Sequence, residues 1–131
     1  MIASDSGIIQ RIADGIGAFG SIVCTVHCLL LPTLLVTGSS LPPLLLNEDA
    51  FHWLLLFVVV PSAFIAFFIG SRHHRDWLVL TLGAISLTLF ITLATVGHDL
   101  FGHDWERRLM VIASLMIVTA HVRNYWLCHR S

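Results

Sequence analysis

Cys24, His27 and Cys28 stand within five residues of apolar sequence, Cys24-Thr25-Val26-His27-Cys28, followed directly by Leu29-Leu30-Leu31-Pro32. Positions i, i+3 and i+4 share a helix face, so a helix here points all three side chains one way and brings the two sulfurs to roughly 5 Å. Two thiols at that spacing form a linear clamp for a soft ion, and with the imidazole a thiolate–imidazole site. Pro32 has no N–H for the carbonyl of Cys28, so the helix is expected to bend beside the thiols. A lone buried cysteine usually behaves as a small hydrophobe. Two on one face with a histidine between them point instead to metal or thiol chemistry.

Other candidates are spread along the chain. His121, Tyr125 and Cys128 fall on one helical stripe, with Asn124 adjacent. His121 reads equally as a metal ligand or as a hydrogen-bonding group between helices. His52-Trp53 opens an apolar run and reads most simply as an interfacial pair, with a ligand role second. Arg72-His73-His74-Arg75 reads as a topology anchor. His98, Asp99, His103 and Glu106 read as a solvated loop that could also collect metal. Cys128-His129 at the tail could take an ion from the thiol pair.

The elements that hold these residues follow from composition. The chain has 131 residues, 56% hydrophobic and 11% charged, with a mean hydropathy of +0.86. Soluble domains carry about 25% charged residues, so this is a membrane protein in contact with the lipid bilayer. Four apolar stretches, about 13–37, 51–70, 77–97 and 109–127, each suit a spanning helix of about 20 residues. The expected architecture is all-α, a membrane-spanning four-helix bundle forming a single domain over 1–131. Gly15, Gly17, Ala18, Gly20 and Ser21 suit close helix packing. Residues 38–43 break the first helix from the second. Pro61 lies inside the second and leaves the Phe57 carbonyl to be satisfied by packing. Arg11, Arg72, Arg75, Arg123 and Arg130 fall on one side, which puts the N- and C-termini in the cytoplasm. The N-terminus is expected to be a spanning helix, since its apolar run outlasts a signal-peptide core of about 7–15 residues.

With no lysine and a net charge of −1, nucleic acid is an unsuitable partner. No zinc-protease, nucleophile-elbow or phosphate-loop motif is present. A transporter is therefore favoured over an enzyme.

The stretch from about Asp14 to Cys128 resembles the MerC family of mercury-resistance membrane proteins. The resemblance rests on Cys24-Thr-Val-His27-Cys28-Leu-Leu-Leu-Pro32 and on His52-Trp53 with Pro61 beyond it. It rests also on Gly70-Ser-Arg72-His-His74-Arg75 and on Ala120-His121-Val-Arg-Asn124 leading to Cys128. It implies a small bacterial inner-membrane protein with four spans that takes up Hg(II) and passes it to a cytoplasmic mercuric reductase or thiol carriers. Carried over, the first-span thiols are Cys24 and Cys28, with His27 as auxiliary ligand or proton acceptor. Family members use a cysteine pair near the C-terminus, where this chain has Cys128 alone. The metal set to be tested is thus Cys24, Cys28, His27, His52, His121 and Cys128. The competing reading is a metalloenzyme or sensor with a zinc or iron site on His27, His52 and His121, with Glu106 as a further ligand; a third is a structural subunit with inert thiols. A homodimer that builds the path between subunits is a further expectation.

Overall fold

A computed structural model describes residues 2–37 and 43–129. The expected break at 38–42 and Arg130 of the charge count lie outside the described residues. The protein is all-α: α1 spans Ile2–Val36, a single turn α2 spans Pro43–Leu46, α3 spans Glu48–His74 and α4 spans Trp77–His129. Both expected prolines sit within continuous helix, Pro32 in α1 and Pro61 in α3.

Local chemistry explains the boundaries. Asn47 caps α3, its side-chain oxygen accepting from Ala50 N–H at 3.1 Å. Arg75 ends α3 in the left-handed region (φ 50), its N–H bonding to Ser71 O at 3.2 Å. Asp76 then starts α4 by accepting from Val79 N–H at 3.0 Å. The same carboxylate meets Arg123 Nη2 at 2.9 Å. The Arg123 guanidinium holds the Asp76 carboxyl below the usual carboxylate range.

Asp76 and Arg123 are 47 residues apart. A straight helix would separate them by about 70 Å, so α4 doubles back. The bend is at Gly102, whose φ 78 and ψ 170 lie in a region that only glycine readily adopts.

This corrects the expectation of a four-helix bundle. Among the described residues, three helices, not four, are long and apolar enough to cross a membrane: Asp5–Leu31, Asp49–His74 and Trp77–His129. The segments expected as separate spans at 77–97 and 109–127 belong to the one helix α4. The polar residues 98–108 suggested a loop, but they contain no proline and stay helical on both sides of Gly102. The cytoplasmic placement of both termini is also withdrawn, because the fold assigns neither terminus to a membrane side.

Small side chains bring the helices close. Ala63, Ala66, Ala113 and Ala120 are fully buried beside Cys24, Val59, Val79, Phe90, Met110 and Ile117. Gly20 lies against Val59 and Gly83 against the Phe67 ring. Outward positions carry Phe19, Leu29, Phe57, Phe64, Phe68 and Leu115, all exposed. An apolar exterior around a core containing polar groups is what lipid demands.

Candidate metal centre

The helical register of α1 turns Cys24 and Cys28 onto the same buried face, as the spacing requires. His52, in the second turn of α3, closes the group. One sulfur from each cysteine and a ring nitrogen of His52 lie within 4.8 Å of one another, all three residues buried. Cys28 Sγ is 3.5 Å from His52 Nε2. Glu106 Oε1 on α4 lies 3.8 Å from His52 Nδ1. Both sulfurs are near enough to hold one ion with metal–sulfur bonds of about 2.3 Å. None of the three cysteines is in a disulfide.

The remaining expected ligands take other places. His27 stacks on Phe51 with ring centroids 3.8 Å apart, and stands edge-on to His52 at 6.2 Å. It borders the thiol group without joining its set of mutually close donors. His121 pairs with Asp14, its Nδ1 lying 2.8 Å from Oδ1. Cys128 is half-buried and borders an open cavity with Gln10, Arg11, Phe68 and Arg72. Among the described residues, His27, His52 and His121 form no common ligand group. The zinc or iron reading therefore has no assembled site.

His121 belongs instead to a hydrogen-bonded set shared by three helices. Asn124 Nδ2 donates to Asp14 Oδ1 and Oδ2 at 3.1 and 2.9 Å, and to the Ala66 carbonyl at 3.0 Å. Its Oδ1 lies 2.7 Å from His74 Nε2. His74 Nδ1 accepts from Asp76 N–H at 3.0 Å, which leaves Nε2 as the donor to Asn124. Gln10 Nε2 donates to the other oxygen of Asp14. Asp14, His121 and Asn124 are at most 2% exposed. Gly17 and Gly70 make room: a methyl on either would overlap His121 or Asn124 respectively.

Sequence reasoning missed Asp14, Gln10 and His74 as members of this set and read Glu106 as solvated. The signal for the first pair was a carboxylate at the edge of an apolar run with an amide four residues before it. Glu106 is 3% exposed because its helical turn aims it inward.

The fold and the site define a class: a multi-pass helical membrane protein with a buried two-thiol, one-imidazole centre suited to a soft metal ion. Residues 14–126 match the family described as MerC mercury resistance protein, and the chain belongs to that family. It is 31% identical over 122 residues to a Mercuric transport protein MerC from Shigella flexneri, covering 91% of this chain and 85% of the relative. No solved structure matches it significantly. Family and helices together make it a multi-pass bacterial membrane protein.

Proposed function

We propose that this chain takes up mercuric ion across the bacterial inner membrane and that Cys24 and Cys28 are the ligands in transit. The observation that carries the reading is the buried Cys24–Cys28–His52 group, in a chain similar to a protein named for mercuric transport. Hg(II) is soft and prefers thiolate sulfur. Binding to both thiols releases two protons, and His52 Nε2, 3.5 Å from Cys28 Sγ, is placed to receive one.

The ion moves by thiolate exchange. An incoming thiolate forms one sulfur–metal bond as another breaks, with no change in oxidation state. Cys128 is the candidate acceptor beyond the pair, and a cytoplasmic thiol carrier or mercuric reductase is the candidate destination. His27 shapes the site through its stack on Phe51. His121 is assigned to helix packing, since it lies outside the group of close donors around the thiols and its Nδ1 pairs with Asp14.

Uptake of labelled Hg(II) by vesicles carrying the parent or Cys24→Ser/Cys28→Ser tests the proposal. The double variant is expected to lose uptake while keeping its helical content. Uptake at the parent rate without either thiol would remove the reading.

A further inference from the structure

A second group of donors converges at the bend of α4, outside the thiol centre. His98, His103 and Glu106 each present one ligand atom, and the three atoms lie within 4.8 Å of one another. The bend at Gly102 creates this convergence. It places His98 and His103 with ring centroids 3.8 Å apart, and His98 Nδ1 3.8 Å from Glu106 Oε2.

The two imidazoles are exposed and the carboxylate is buried. Burial fixes the carboxylate in place, and the exposed imidazoles are open to an incoming ion. Arg107 sits next in sequence to Glu106, but its guanidinium is directed toward Asp104 at 4.0 Å. His103 also borders an open cleft of about 720 Å³ shared with Asn47 and Asp49, so the approach carries a further carboxylate.

We infer that His98, His103 and Glu106 form a second metal site, for a borderline divalent transition-metal ion. Two imidazole nitrogens and one carboxylate oxygen are the donor set of such ions, whereas a soft ion goes to sulfur. Bonds of about 2.0–2.2 Å to nitrogen and oxygen require only that the three donors close in slightly on the ion. The exposed imidazoles can do so by side-chain rotation. The site is distinct from the thiol centre in donor type and in exposure. The two are adjacent through Glu106, whose Oε1 faces His52 while Oε2 faces His98.

Cobalt(II) is the probe, because its visible bands report the donor set. The full-length chain with Cys24→Ser/Cys28→Ser/Cys128→Ser, in detergent, is titrated with cobalt(II) and compared with the same chain also carrying His98→Ala/His103→Ala. Both histidines are solvent-facing, so their alanines leave the core intact. The thiol-less chain is expected to bind cobalt with visible bands and no sulfur-to-metal charge transfer, and the variant that also lacks both histidines to lose that binding. Cobalt binding that survives the two alanines, or no cobalt binding by the thiol-less chain at millimolar metal, overturns the inference. Hg(II) uptake by His98→Ala/His103→Ala in the parent background is a separate readout. It reports on the thiol pair, so the two proposals fail independently.

Discussion

Among the described residues, two groups of buried polar side chains are built differently. Around Asp14 the distances are those of closed hydrogen bonds: 2.8 Å to His121, 2.9 and 3.1 Å to Asn124, and 2.7 Å from Asn124 to His74. Around Cys28 the contacts involve sulfur and a looser ion pair: a hydrogen-bonding contact of 3.5 Å to His52, then 3.8 Å from His52 to Glu106. Asp14, His121, Asn124 and His74 are bonded across helices, which suits a lock between α1, α3 and α4. The second gathers soft and borderline donors within 4.8 Å of one another, which suits an ion that must arrive and leave. Burial of a titratable group therefore does not by itself mark a transport site. The donor types and the spacing separate the two roles.

Substitutions can break that division. The largest effect is expected from Cys28→Ser, which removes half of the sulfur clamp. Hg(II) affinity, followed by competition with a small dithiol, should fall by at least about 100-fold, beyond the loss typical of groups that only support a ligand. The packing end should respond in the opposite sense. Asp14→Ala strips His121 and Asn124 of their shared acceptor and should lower stability by about 1–3 kcal/mol, read as an earlier thermal transition in detergent. Its Hg(II) stoichiometry should match the parent, and loss of mercury binding by the folded variant would erase the distinction between the two ends.

His52→Ala sharpens the thiol side. With both sulfurs retained, Hg(II) affinity should drop only about tenfold; an unchanged affinity would take His52 out of the site. The smallest effect lies at the corner between α3 and α4. Asp76 titrates below the ordinary carboxylate range because Arg123 faces it. Its contribution to stability is complete above the unfolded-chain value and fades as pH falls through the lowered folded one. Thermal unfolding of Arg123→Ala, measured against pH, should lose the larger part of that acid-side dependence, the Val79 N–H bond keeping the rest, and should approach the parent only at low pH.

Much of this was legible in the residues. The i, i+4 spacing put Cys24 and Cys28 on one face, and the apolar runs showed a helical membrane protein. The failures share a cause. Glu106 and Gly102 lie in a polar stretch that looked like a loop, and polarity alone cannot tell a solvated turn from a helical bend with one face inside. His52 looked interfacial because it opens an apolar run, yet the cap at Asn47 starts α3 early enough to bury it. His121 was open between ligand and packing roles. The choice depended on Asp14, a residue 107 positions away that no local pattern could bring near.

That separation along the chain also sets an order of events during synthesis. Asp14 is made 107 residues before His121. At about 5–20 residues per second the delay is on the order of 5–20 seconds. Through that interval the nascent α1 carries a carboxylate whose transfer to the bilayer centre costs about 2.5–3.5 kcal/mol, with Gln10 beside it and α4 still on the ribosome. Nascent α1 therefore holds its Asp14 end at the water boundary, and that end seats when the last helix arrives. The ribosome finishes the thiol helix first and supplies its anchor last.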